Sequence, residues 1–401
     1  MSKVLWLGDA GCTTGFATAA HAITDRLMEM GHELSCLAVN FRGDSVASRM
    51  RMFVPTLRQG SDVYGMTRIV EVLAETEPDV VVILNDPFVQ MNLLFNNEFD
   101  TEKVLLRYRP LIAYTPIDGY EMPKIWEVLG KVTRQVAMSK FGQDSMPGSD
   151  LIRHGVDSKV FHPPSKANPL FMGITSKREA KEFIGIDPDA FFVLRVDANS
   201  WRKDYASTWK ALLPSMHKHS DIVAYFHCSG SDKSGGVKMP ALWSRDPGTV
   251  DRFHLPDPES FNTFNGWSQE KLAVLYASAD LFCSTSMGEG FGLTLAEAAA
   301  SGVPIVAQRV SAVTEVVGPG GVLVDKGFVV TAPGGQDMYH ADANLFSEAI
   351  EYLYLQEKER LRLGALARKH ALTFSWDEAA QSFDKIIREL HERSTAGDAM
   401  N

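Results

Sequence analysis

The chain has 401 residues, of which 45% are hydrophobic and 22% charged, with a net charge of −10. This is the composition of a soluble globular protein: no stretch approaches the ~20 apolar residues of a membrane span, and the acidic balance argues against a general polyanion binder. At this length one core is not enough, and two domains of about 180–200 residues are expected.

Strand and helix signals alternate from the first residues, which predicts an α/β protein with parallel sheets wrapped in helices. Lys3–Leu7 is a short apolar strand, reached with no signal-peptide layout before it. A glycine-punctuated loop, Gly8 to Gly15, leads into a helix over Phe16–Met30 that Gly31 stops. Glu33–Val39, Asp79–Leu84, Leu111–Thr115 and Gln135–Met138 read as further strands. Pro87, Pro116 and Pro123 follow strands, where open α/β sheets place their binding loops. Val156 to Asn168 reads as an exit from the first domain. Beyond it, a charged helix over Lys177–Ile184 precedes strands at Phe191–Val196, Val223–Cys228, Leu281–Ser284 and Pro304–Ala307. The Gly-, Pro-, Ser- and Asp-rich stretch from Ser229 to Trp267 reads as an irregular insertion. Helices are expected near Leu345–Leu355, Glu357–Thr373 and Trp376–Glu392, and a disordered polar tail from Ser394 to Asn401. The expected domains are therefore 1–170 and 171–375, with 376–401 as a final helix and tail. Cys12, Cys36, Cys228 and Cys283 are scattered without disulfide or metal-ligand spacing, so a reduced, cytoplasmic setting and no metal site are expected.

The most informative segment runs Gly288-Glu289-Gly290-Phe291-Gly292-Leu293-Thr294-Leu295-Ala296-Glu297 and continues to Gly302-Val303-Pro304. A glycine-rich turn opens an alanine-rich helix, with one glutamate in the turn and another eight positions on. Free backbone N–H groups at such a helix start can hold an anion, and flanking carboxylates suit a ligand that also carries hydroxyls. That combination describes a nucleotide sugar. The segment resembles the donor site of retaining glycosyltransferases with two Rossmann-like domains, the large family-four group of the GT-B fold. The resemblance implies that Glu297 holds the donor ribose and Glu289 the sugar hydroxyls. Gly290, Phe291, Gly292 and Leu293 would then supply backbone contacts to sugar and diphosphate.

Other passages fit the same family. Asp197-Ala198-Asn199-Ser200-Trp201-Arg202-Lys203-Asp204 follows the first strand of the second domain, where the family places a basic pair against the departing diphosphate. Lys203 matches the family lysine; Ala198 stands where the usual arginine would be, and Arg202 is the substitute. Tyr114 to Tyr120 ends a first-domain strand in a region where relatives carry a histidine; here Asp118 is the candidate for that role. In the first loop, Gly11 and Gly15 would let backbone approach the donor. Arg153-His154-Gly155-Val156-Asp157 resembles a family passage at the domain exit, with His154 a structural residue. Gly266 to Asp280 resembles the lead-in to the donor site. Its Leu272, Leu275 and Tyr276 sit at core spacing, and Trp267 or Phe264 could stack on a nucleobase. Asn85-Asp86-Pro87 ends another strand and could contact an acceptor or simply turn the chain.

The resemblance therefore implies a GT-B protein whose two parallel sheets face across a cleft. It would be a metal-independent, retaining glycosyltransferase with a nucleoside-diphosphate sugar as donor substrate, a hydroxyl-bearing acceptor and no further cofactor. Its acceptor could be a small molecule or glycan, with hydroxylated-base DNA as an alternative. An NAD(P)-dependent Rossmann oxidoreductase and a non-catalytic nucleotide-sugar binder are the competing classes. The first loop lacks dinucleotide glycine spacing, and Asn40-Phe41-Arg42 stands where an acidic residue would end the second strand. Tyr120 and Lys124 mimic a short-chain dehydrogenase pair, but Pro123 between them breaks the helical face that pair needs.

Overall fold

The computed structural model describes every residue except 42, 44–47, 56–61, 63, 96–109, 231–234, 259–265 and 399–401. The chain divides into two compact units: residues 1–117, 121–155 and 375–401 in the first, and 118–120 with 156–374 in the second.

The first unit is built on β1 (Lys3–Asp9), β2 (Glu33–Val39), β3 (Arg51–Phe53), β4 (Val80–Leu84), β5 (Leu111–Thr115), β6 (Arg134–Ala137) and β7 (Asp150–Leu151). These form one parallel sheet in the order β3-β2-β1-β4-β5-β6-β7. Central strands such as Val80-Val81-Val82-Ile83-Leu84 are buried along their whole length, the pattern of a strand covered on both faces. Leu5, Leu7, Val81, Ile83 and Ala113 pack with Ile69 and Val72 of the helix Ile69–Thr76 and with Val89 and Leu93 of the helix Pro87–Phe95. Pro87 thus opens a helix, where its missing N–H costs nothing.

The last helix, Trp376–Asp398, belongs to this first unit. Its Phe383 ring sits 6.0 Å from Trp6 and 5.1 Å from Tyr114. The helix continues through residues 394–398, which the sequence reading assigned to a disordered tail; residues 399–401 lie outside the described residues. Polar residues extend a helix readily once a packed stretch has nucleated it.

The second unit carries β8 (Phe191–Val196), β9 (Ile222–His227), β10 (Phe253–His254), β11 (Leu281–Ser284), β12 (Ile305–Gln308) and β13 (Gly321–Val324) in a parallel sheet ordered β10-β9-β8-β11-β12-β13. The order runs outward in both directions from the β8–β11 pair, so the chain's topological switch point lies between those strands, where open α/β sheets bind ligands. A separate antiparallel hairpin, β14 (Lys326–Thr331) and β15 (Asp337–Ala341), follows. Residues 118–120 join this unit through it, because Tyr120 and Asp337 exchange two backbone hydrogen bonds of 2.8 Å.

Residues 156–170, read from the sequence as the end of the first domain, cluster with the second unit. The backbone N–H of Val156 donates to Phe374 O at 3.2 Å, and the Phe161 ring packs edge-on against Tyr276 at 5.7 Å. Nor is the Ser229–Trp267 stretch wholly irregular. It contains the helix Met239–Trp243 and β10, anchored where the Trp243 and Phe253 rings stack at 5.3 Å. Among the described residues no helix is long and apolar enough to cross a membrane.

Candidate functional site

At the switch point of the second unit, two loops bring charged side chains together. After β8 the chain makes a short 3-10 turn, Trp201–Lys203, and Asp204 enters the next helix with left-handed backbone (φ 47°). After β11 it turns through Gly288 to Gly292 into the helix Leu293–Ala300. Gly292 has φ 100°, which glycine alone adopts without strain. A Cβ on Gly288 would lie 1.8 Å from the carbonyl oxygen of Asp118, so that position also requires glycine.

Lys203 sits between two carboxylates, its Nζ donating to Glu289 Oε1 and to Asp197 Oδ1, each at 2.6 Å. Arg202 lies 3.4 Å from Glu289 Oε2 and 3.3 Å from Asp118 Oδ2, and also donates to Gly288 O. Behind Lys203 the fully buried Arg195 donates to Asp197 Oδ2 at 3.2 Å, to Thr208 and Thr285 Oγ1 at 2.7 Å each, and to Lys203 O. Charges therefore alternate along one connected row: Arg195, Asp197, Lys203, Glu289, Arg202, Asp118. Burial alone would raise the Glu289 carboxyl, but the cations of Lys203 and Arg202 outweigh it and hold it down at about 2. Asp118 is pushed up by burial, against the pull of Arg202 and with the push of Glu289.

Glu297 lies in the following helix, 8% exposed, and accepts a 2.8 Å hydrogen bond from the Tyr276 hydroxyl. Burial pushes its carboxyl up to about 7; the Tyr276 bond opposes this and the charge of Asp197 adds to it. Phe291 is 2% exposed and packs edge-on against Phe374 at 5.4 Å, so only its backbone is available to a ligand.

The four residues Asp118, Arg202, Lys203 and Glu289 are thus in one ion-pair row, with Glu297, Gly290, Phe291, Gly292 and Leu293 on the adjoining turn and helix. Gly11 and Gly15 belong to the first unit. A Cβ on Gly11 would lie 2.2 Å from the Phe41 ring, and Gly15 opens the helix Gly15–Glu29 behind its Thr14 cap. In that loop Asp9 is buried and bonded by Thr14 Oγ1 at 2.8 Å and Asn40 Nδ2 at 3.2 Å. Asn85 is buried, and its carbonyl accepts from Gln90 Nε2 at 2.8 Å. His154 is buried beside Tyr114 and Trp376, and burial lowers its imidazole to about 3, as a structural histidine requires. Tyr120 is in an extended bridge while Lys124 begins a 3-10 turn, so the two do not share a helical face. Trp267 carries the Lys271 ammonium 3.8 Å above its ring; Phe264 and Arg42 lie outside the described residues. Among the described residues no group of three or more His, Cys, Asp or Glu could hold a metal ion.

Sequence reasoning did not assign Arg195 or Asp197 a role, and read Tyr276 as core alone. A signal was available for the first two: a charged residue within the apolar run Phe191–Val196, followed two positions later by its counterion on the same side of the strand.

Residues 187–354 match the family "Glycosyl transferases group 1". The D-inositol 3-phosphate glycosyltransferase of Corynebacterium diphtheriae is 33% identical over 266 residues, which cover 62% of this chain and 57% of that protein. The chain spans less than two thirds of the length of such curated relatives. Among solved structures, sucrose-phosphate synthase from Thermosynechococcus elongatus superposes with a TM-score of 0.70 at 16% identity, covering 98% of this chain and all of that one. The Anabaena HepE protein in complex with UDP-glucose superposes with a TM-score of 0.65 at 14% identity over the full length of both chains. The fold is that of the GT-B glycosyltransferases.

Proposed function

We propose that the chain, whose residues 187–354 match the glycosyl transferases group 1 family, is a retaining glycosyltransferase that moves a sugar from a nucleoside-diphosphate sugar to a hydroxyl acceptor. One observation carries this reading. Two cations, Lys203 and Arg202, converge on Glu289 at the start of the helix Leu293–Ala300, at the sheet's switch point.

A departing diphosphate gains charge as the glycosidic bond breaks, and fixed cations together with the free N–H groups of a helix start stabilise it without a metal. Glu289 is held ionised by the same cations, so it accepts hydrogen bonds from sugar hydroxyls while keeping Lys203 and Arg202 in place. Glu297, farther along the helix, accepts from the ribose. Asp118, paired to Arg202, stands at the sugar end of the row. Retention follows from attack on the face the diphosphate leaves, with a leaving phosphate oxygen taking the acceptor proton. No further cofactor is needed. UDP-glucose bound to the HepE protein supports a nucleotide-sugar donor, and a soluble hydroxyl acceptor, small molecule or glycan, is the acceptor class that fits the acidic chain.

The test is to incubate the purified chain with UDP-, GDP- and ADP-sugars and follow nucleoside diphosphate release, with and without chelator. Slow release without acceptor, unaffected by chelation, and a product with the donor's anomeric configuration are expected. Inverted product sinks the retaining assignment, chelator-sensitive turnover sinks metal independence, and hydride transfer with NAD(P) in place of release sinks the whole reading.

A further inference from the structure

One strand over from the ion-pair row, described residues that follow β9 and β10 border an open cavity of about 530 Å³. Cys228, Ser229, Gly230 and Lys238 line it from the β9 side and Leu255 and Pro256 from the β10 side. Its volume is in the range that receives small-molecule ligands. The strands β10, β9, β8 and β11 are successive neighbours at ~4.8 Å spacing, so the cavity lies on the order of 10 Å from Lys203. That distance suits one ligand with a diphosphate at the cations and the flat base of its nucleoside in the cavity.

The turn that carries Lys203 also builds the cavity wall. Asn199, four residues before Lys203 and only 1% exposed, directs its side chain into the stems of the β9 loop. Its Nδ2 donates to Ser229 O at 2.9 Å and to Val237 O at 2.7 Å, while its Oδ1 accepts from Val237 N at 2.9 Å. Gly236 lets the chain come this close, since a Cβ there would lie 1.9 Å from Asn199 O. Met239 N closes the same stems by donating to Gly230 O at 3.0 Å. One amide thus joins Ser229 to Val237, each adjacent in sequence to a residue that lines the cavity.

We propose that Asn199 is a positioning residue for the donor nucleoside: by fixing the Ser229–Gly230 and Gly236–Lys238 stems it shapes the cavity that receives the nucleoside. The diphosphate is held by other groups. The proposal rests on the nucleotide-sugar reading above and adds to it the residue that separates nucleoside recognition from diphosphate recognition.

The perturbation is Asn199→Asp, which keeps the acceptor and the shape but replaces both donations with carboxylate–carbonyl repulsion. Losing two buried hydrogen bonds should raise KM for the sugar nucleotide and Kd for the nucleoside diphosphate at least about tenfold. The kcat should stay within about threefold. Inhibition by inorganic pyrophosphate, which reaches the cations and not the cavity, should be unchanged. Ala241→Trp supplies a second route: it changes an exposed residue that lines the cavity, leaves Asn199 intact and fills the space. The same loss of nucleoside affinity with intact pyrophosphate inhibition is expected. Equal loss of pyrophosphate and nucleotide binding in Asn199→Asp marks a general structural residue and overturns the proposal. So does normal nucleotide affinity in either variant when the wild type turns over its donor, and that result leaves the glycosyltransferase reading standing. A wild type that binds pyrophosphate but no nucleoside diphosphate overturns both.

Discussion

Glu297 offers the sharpest test of the donor site, because its chemistry depends on pH within the physiological range. Burial pushes this carboxyl from 4.5 up to about 7, with Tyr276 opposing and Asp197 adding. A ribose whose hydroxyls donate to Glu297 binds the ionised form, so donor binding must remove a proton at acid pH. At pH 6 about one carboxyl in ten is ionised and at pH 8 about nine in ten, so donor affinity should rise roughly tenfold, about 1.4 kcal/mol, across that interval. Isothermal titration with an intact sugar nucleotide is the right assay, because its diphosphate is a diester and does not titrate in this range. Glu297→Gln should abolish the pH dependence and weaken binding at pH 8 by about 2 kcal/mol, the worth of charge-assisted hydrogen bonds. The same shift acts on folding with a definite sign. A raised folded-state pKa stabilises at acid pH, and that contribution is lost as pH rises from about 4.5 through about 7; over 2.5 units it amounts to about 3 kcal/mol. Glu297→Gln should therefore melt higher than wild type at pH 8 and close to it at pH 4.5. Affinity for the sugar nucleotide that is flat from pH 6 to 8 in the wild type, or equally steep in Glu297→Gln, would refute the assignment.

Three further outcomes follow from the same site. Lys203→Met removes the cation between two buried carboxylates and should cost about 3–5 kcal/mol of stability. Because Glu289 then loses its depressed pKa, the acid limb of the pH–stability curve, present in wild type above about 4.5 and lost toward about 2, should flatten; an unchanged acid limb in urea titrations refutes the pairing. Gly292→Ala forces a Cβ into left-handed backbone at φ 100° and should cost about 1 kcal/mol or more, with a matching loss of donor affinity; a neutral effect in thermal melts refutes the geometry. Transfer to a neutral sugar acceptor should change little between two salt concentrations. Transfer to hydroxylated-base DNA would instead fall steeply, with a log–log slope of about −0.9 per neutralised phosphate, and labelling of DNA with that slope overturns the acceptor ranking.

Much of the fold was legible because the central strands are apolar runs: Val80–Leu84, Leu111–Thr115 and Phe191–Val196 are buried along their whole length. The short edge strands β3, β7 and β10 have three residues or fewer, too few for any period to show. The hairpin β14–β15 was missed for another reason. Its apolar run, Phe328-Val329-Val330, is only three residues long, and Phe328 and Val329 are exposed in a hairpin outside the main sheet. At the candidate site, Glu289 and Glu297 stand out around a glycine turn and Lys203 through its match to a family passage after β8, and an ion pair joins Lys203 to Glu289. Asp197 and Arg195 carry only the local signal of a charge pair two positions apart at the end of an apolar run, and their link to Glu289 runs through Lys203, which no spacing shows. Asp118 was named only as a substitute for a missing histidine. That it pairs with Arg202 depends on the Tyr120–Asp337 bridge, which joins positions more than 200 residues apart.

The alternating row from Arg195 to Asp118 also restricts how this site can change over evolutionary time. Three basic and three acidic side chains balance one another, and each interior member touches two opposite neighbours. Replacing Asp197, Lys203 or Glu289 takes a partner from a buried charge, so single steps at these positions pass through a less stable protein, whereas compensated double replacements do not. Where the family resemblance would place an arginine, at position 198, Ala198→Arg would add a seventh, unbalanced charge unless Arg202 were replaced with it. Drift at this site should therefore proceed in coupled pairs, and an engineer who wishes to alter donor choice should exchange residues two at a time along the row.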